Sequence, residues 1–347
     1  MVGVLAGEPP VAQPLKPPDT TTTSSACLLQ SRRYPKVTVP LVPERLERAI
    51  IFLRGEDDGR VWLDALPERI ASYADRWRLR LESIADSGAM SCCVYSSTED
   101  GTATVLKIPV DQESGATEMA MLDRWSASGV TPEILYFDQD SGVFLMTRIV
   151  PGEIAWPVHG AGDSAQFGEL LSRLNTPGLP EPPELKDLAD IAWMRIDWAR
   201  ERFADERYAD AMERFGAATH LARAEKLLEV LLSTTTERHV LHADLQAKNI
   251  LQGPGRWYTI DPLGAVGDIN AEAGLWVAIQ DGPESIPQRL SALCDHHLLD
   301  ENRLYAWTYV LAVAEYRSYL PACGDRIESF VQAVDPAELT HRVQPAR

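Results

Sequence analysis

His239-Val-Leu-His-Ala-Asp-Leu-Gln-Ala-Lys-Asn-Ile-Leu251 and, shortly after it, Tyr258-Thr-Ile-Asp-Pro262 are the segments on which the fold is read. Apolar residues flank a polar loop that carries His242, Asp244 and Asn249, so the loop hangs between two short strands. A second carboxylate, Asp261, closes the strand that follows.

Working outward, the segments RLRLESIA, MSCCVYSS and TATVLKIPV predict three antiparallel strands, with turns at ADSGA and TEDG. A helix from about Glu113 to Ala127 follows, then strands EILYFD and GVFLMTRI joined by QDSG. An earlier helix is read over LPERIASYADRW. After Pro151-Gly152 the periodicity becomes helical, in SAQFGELLSRL, in Leu185 to about Phe203 and in HLARAEKLLEVLL. The reading is an α+β chain of two lobes. A flexible Pro/Thr/Ser-rich arm over 1–40 precedes a β-rich lobe with its hinge over 41–150 and a mainly helical lobe over 151–347. A ligand is expected in the cleft between the lobes.

Composition excludes several classes. Formal charge is -18, all of it carried beyond residue 60, so the body repels phosphate backbones and nucleic acid is not expected as a partner. Small cationic molecules are attracted by the same field. The start of the chain lacks a basic region followed by an apolar one, and the apolar run Leu304–Tyr316 is too short to span a bilayer, so no membrane association is expected. Five cysteines without CxxC spacing suit reduced thiols and a cytoplasmic setting.

One lysine stands out. The chain has six, and Lys107 sits alone inside the apolar strand Thr104-Val-Leu-Lys-Ile. Burying an ammonium is costly unless it is paired. Glu118, in the helix that follows, is the expected partner, with Glu113 at the helix start as its rival.

The set His242-x-Asp244-x4-Asn249 with Asp261 downstream resembles the catalytic and metal loops of the protein-kinase-like superfamily. Together with WRLRLESIADSGAMSCCVYSS, EMAMLDRW, VFLMTRIVPG and TIDPLGAVGD, taken in order from about Leu66 to Asp281, it is similar to the aminoglycoside phosphotransferases in their streptomycin 6-kinase and hydroxyurea-kinase branch. The resemblance implies a bilobal protein-kinase-like fold, ATP and Mg2+ as cofactors, and a hydroxyl of a small molecule as acceptor. It implies roles residue by residue. Asp244 would orient the acceptor hydroxyl and take its proton, while Asn249 and Asp261 hold the metal. His242 would brace the loop. Lys248 departs from the family's usual glycine, and, in a slot that carries an arginine in tyrosine-kinase-like loops, its ammonium is expected to offset charge on the transferring group. Nucleotide contacts would come from Lys107 clamped by Glu118, from Ser87 and Gly88 in the first hairpin turn, and from the backbone of Thr147, Arg148 and Ile149.

Ala243, Gln246 and Lys248 depart from the family's usual loop, and Glu272 stands near the position of a usual aspartate. The acceptor is therefore open: an aminoglycoside such as streptomycin, or another hydroxylated metabolite. Asp197, Glu201, Asp268 and Asp281, with Glu284, are the acids that could receive its cationic groups. The alternative is a nucleotide-binding pseudokinase, which would lack Lys107, Asp244 or Asp261; all three are present.

Overall fold

A computed structural model describes residues 39–86, 90–155 and 163–344. Two helices come first, α1 (Glu44–Arg54) and α2 (Glu56–Arg76). Five strands with one inserted helix follow: β1 (Arg80–Ile84), β2 (Ser91–Ser97), β3 (Ala103–Pro109), α3 (Gln112–Ser126), β4 (Ile134–Asp138) and β5 (Val143–Thr147). They form an antiparallel sheet in the order β1-β2-β3-β5-β4.

The two-residue period of these strands sorts their side chains onto two buried faces. Cys92, Val94, Leu106, Ile108 and Leu145 point one way and pack beneath Ile50, Leu66, Ile70 and Ala74 of α1 and α2. Val105, Phe144 and Met146, with Cys93 and Tyr95, point the other way onto α3. Lys107 shares the register of Val105 and therefore enters the second face.

Helix α2 starts ten residues before the expected LPERIASYADRW, and α1 lies wholly outside that expectation. Gly59 explains the miss. It weakens the helical pattern in sequence, yet a Cβ there would stand 2.9 Å from the Ile51 Cα, so it is what lets the two helices touch.

The second lobe comprises α4 (Asp163–Leu174), β6 (Lys186–Asp187), α5 (Leu188–Phe203), α6 (Ala209–Phe215), α7 (Ala217–Ser233), β7 (His239–Leu241), β8 (Ile250–Gly253), β9 (Arg256–Thr259), β10 (Ala265–Gly267), α8 (Ile269–Ile279), α9 (Ile286–Leu293), α10 (Glu301–Glu315), α11 (Pro321–Ala333) and α12 (Pro336–Val343). Helices α8 and α10 are buried almost all round and make its centre, so the apolar run Leu304–Tyr316 is a core helix. No described helix is long and apolar enough to cross a membrane.

Among the described residues, indole and backbone hydrogen bonds tie the lobes on two sides. On one side Trp125 of α3 sits in the second lobe's core and donates from Nε1 to the Leu174 carbonyl at 2.9 Å, while the Thr259 N–H donates to Val130 at 2.8 Å. On the other, Gly152 and Ala155 donate to the carbonyls of Gln252 and Ile250 at 3.0 and 2.8 Å, which sews the connecting segment onto β8.

Candidate active site

Strand β7 pairs with β10 and delivers the chain into the loop that starts at His242. Ala243 adopts φ 65°, and Asp261 φ 58°, both in the left-handed region that costs an L-residue roughly 1–2 kcal/mol. The loop is held in this shape by its surroundings. Glu272 of α8 accepts the N–H groups of His242 and Ala243 at 3.1 and 2.9 Å, and the His242 carbonyl accepts from Leu263 at 2.9 Å. Burial pushes the Glu272 carboxyl up to about 7 against the pull of those two donors.

Asp244 lies at the centre. Its Oδ1 accepts from Arg195 at 2.7 Å and from Gln246 at 2.5 Å; its Oδ2 accepts from Asn249 at 2.9 Å and faces the Lys248 ammonium at 3.1 Å. Burial works to raise this carboxyl, but Arg195 and Lys248 outweigh it and hold it below the usual range. Asn249 spends both amide protons on Asp244, on the carbonyl and on Oδ2, which turns its own carbonyl oxygen away from them.

His242 is fully enclosed. Its Nε2 donates to the Ile260 carbonyl at 2.9 Å and its Nδ1 accepts from the Asp244 N–H at 3.3 Å, an arrangement that needs the neutral ring. Burial lowers its pKa to about 4, and its ring stacks on Trp125 with centroids 6.2 Å apart. Held at Nε2 by the Ile260 carbonyl and at Nδ1 by the Asp244 N–H, the neutral ring links the two ends of the loop.

Across the cleft, Lys107 is 3% exposed and donates to Glu118 Oε1 at 2.5 Å and also to Asp261 Oδ1. Burial opposes its charge, but the carboxylates of Asp261 and Glu118 overcome it and raise its pKa. Burial also pushes Glu118 up to about 8, whereas Lys107 prevails over burial at Asp261 and lowers it. The rival Glu113 is exposed in the first turn of α3.

Several sequence expectations change. Ser87 and Gly88 lie outside the described residues. The Thr147 and Arg148 N–H groups are engaged by the Glu133 and Ala103 carbonyls, both at 2.9 Å, because sheet pairing continues past β5. Ile149 is thus the segment's only backbone donor without a partner among the described residues. The Arg148 side chain turns back over the Tyr95 ring, 4.0 Å from its centroid, and meets Glu82 at 3.2 Å. Asp268 is not a ligand for an acceptor: it is buried, caps α8, and is bound by Arg303 and by Trp307 Nε1, both at 2.6 Å. Asp281 pairs with Arg326 at 2.9 Å and Asp197 with Arg200, while Glu201 is exposed with no ion-pair partner among the described residues.

Arg195 and Glu315 escaped the sequence reading. Arg195 bridges Asp244 to Glu315, 2.6 Å away on α10, and Glu315 meets Arg317 at 2.9 Å. A signal was present: Arg195 falls on the same helical stripe as Leu188, Ile191, Ala192 and Ala199.

A five-stranded lobe carrying a clamped lysine, set over a helical lobe carrying a base-like aspartate and a carboxamide–carboxylate pair, defines a protein-kinase-like phosphotransferase. The sequence pattern of the aminoglycoside/hydroxyurea antibiotic resistance kinases matches residues 76–316. The chain belongs to that family of small-molecule kinases. It is 28% identical over 267 residues to streptomycin 6-kinase of Streptomyces griseus, covering 73% of this chain and 83% of that protein. It is 31% identical over 258 residues to hydroxyurea phosphotransferase of Kitasatospora aureofaciens, covering 72% of each. In fold it is similar to a choline/ethanolamine kinase family protein from Mesorhizobium loti, with TM-score 0.54 and 16% identity over 83% of this chain and 98% of the other.

Proposed function

We propose that this protein transfers the γ-phosphoryl group of ATP, with Mg2+, to a hydroxyl of a small antibiotic-like molecule. The observation that carries this reading is the meeting, across the cleft, of Lys107, clamped by Glu118, with Asp261, which shares the second lobe with the Asp244–Asn249 pair. Lys107 would bind the α- and β-phosphates, and an ATP-dependent reaction suits the cytoplasmic setting expected from the reduced thiols. The Asn249 carbonyl oxygen and the half-exposed Asp261 carboxylate are two hard oxygen donors, the partial set that suits Mg2+, which draws its other ligands from phosphates and water. Bound there, the ion would neutralise charge on the phosphates.

Asp244 orients the acceptor hydroxyl and takes its proton late, which suits a carboxylate held below its usual pKa in a loose transition state. An acceptor bearing cationic groups would be drawn by the acidic body and met by Glu201, and at Asp197 and Asp281 it would displace arginines. The pseudokinase alternative finds no support, since each residue it would lack is present and placed.

The test is ADP release and product mass with Mg-ATP and a panel that includes streptomycin and hydroxyurea. A phosphorylated acceptor is expected. ATP binding without ADP release across the panel, and without slow hydrolysis by water, would remove the reading.

A further inference from the structure

We infer that Arg195 is a positioning residue for phosphoryl transfer: its guanidinium fixes the Asp244 carboxylate in one rotation, so that a single oxygen is left for the acceptor hydroxyl. The inference rests on the kinase reading above. Arg195 is 6% exposed, within reach of Asp244 Oδ1 at 2.7 Å, the Ala243 carbonyl at 3.2 Å and Glu315 at 2.6 Å. A guanidinium is planar and presents its donors as a rigid fork, so contact on both sides of it defines an orientation that a lysine ammonium could not.

Stability alone is a poor explanation for this arrangement. Removing a guanidinium and two carboxylates from water costs about as much as their attraction returns, and apolar residues of similar size fill such places equally well. The core here is apolar and could accommodate them: Leu188, Ile191, Leu275 and Leu311 line the space around Arg195. What the arginine adds is geometry. With Arg195 and Gln246 on Oδ1, that oxygen is saturated. Oδ2 has Asn249 on one side and on the other the Lys248 ammonium, whose side chain is 61% exposed. An acceptor hydroxyl reaches Oδ2 by displacing an exposed lysine, whereas Oδ1 is closed off by Arg195 and Gln246. Glu315 and Arg317 hold the far side of the fork, so the rotation of Asp244 is set from α10.

Because Arg195→Met alone leaves Glu315 facing an apolar group, the variants are Arg195→Lys, Arg195→Met and the double change Arg195→Met with Glu315→Leu. Each is assayed for ADP release with whichever of streptomycin, hydroxyurea or water the unaltered protein turns over, for KM of ATP, and for stabilisation by Mg-ATP in thermal unfolding. Both Met variants should lose roughly 10- to 100-fold in kcat, the range expected for a misplaced catalytic group. KM for ATP should stay within about twofold, and Arg195→Lys should recover part of the loss because it keeps the charge without the fork. A double variant with kcat within about threefold of the unaltered protein overturns the inference. So does a loss of kcat matched by an equal loss of Mg-ATP stabilisation, which marks a purely structural arginine. No ADP release by the unaltered protein strikes the kinase reading itself, and the inference falls with it.

Discussion

The Glu272 carboxylate and the Ala243 amide, 2.9 Å apart, join the central helix of the second lobe to the residue before Asp244. Glu272 also takes the His242 N–H, so one side chain from α8 secures the two peptide units that set the height of the loop.

Glu272→Gln should therefore cost stability. The carboxamide can accept one of these N–H groups but turns its NH2 toward the other, and an orphaned buried donor costs roughly 1–3 kcal/mol. Denaturant unfolding at pH 8, above the folded-state pKa of Glu272, would measure it. The pH dependence has a definite sign. The folded-state pKa of about 7 lies above the ordinary 4.5, so the folded form holds its proton more tightly. That contribution is fully present below pH 4.5 and is lost as pH rises through about 7. Glu272→Gln should flatten this part of the stability profile, and an unchanged slope would place its origin elsewhere.

Asp244→Asn should keep nucleotide binding and lose turnover by roughly 10²- to 10⁴-fold, since the amide matches the shape and cannot take a proton. The check is kcat beside ATP stabilisation in thermal unfolding. A variant with most of its activity would take the role from Asp244.

Asp261→Ala should abolish Mg2+-dependent stabilisation by ATP. Lys107 retains Glu118 at 2.5 Å, so its ammonium is not stranded and the fold should survive. Circular dichroism guards the comparison. If Mg-ATP stabilises the variant as before, the metal site lies elsewhere.

Lys248→Ala should lower kcat with little effect on ATP affinity. The ammonium lies 3.1 Å from Asp244 Oδ2 and is exposed enough to swing toward a transferring phosphoryl group. Steady-state kinetics on the best acceptor decides it, and an unaltered kcat returns Lys248 to the surface.

How much could be read from sequence follows from how far apart the partners are. His242, Asp244, Asn249 and Asp261 come from one short stretch, and a strand followed at once by a helix places Lys107 against Glu118, so these were legible. Arg195 meets partners 49 and 120 positions away, and the pairing depends on how α5, α8 and α10 stack, which local periodicity does not encode. Among the candidate acceptor acids, Asp268 was misjudged for a related reason. Asp268 looks available in sequence, but it becomes the cap of α8 and the anchor of Arg303 once the helices assemble.

A rigid body pinned to another at two points keeps one freedom, rotation about the line through them. The lobes are pinned near Trp125 and Val130 and again at Gly152 and Ala155. Any breathing of the cleft must turn on that axle. Lys107 and Glu118 ride together on the first lobe while Asp261 rides on the second, so the Lys107–Asp261 contact is the one that a turn about that axle would stretch.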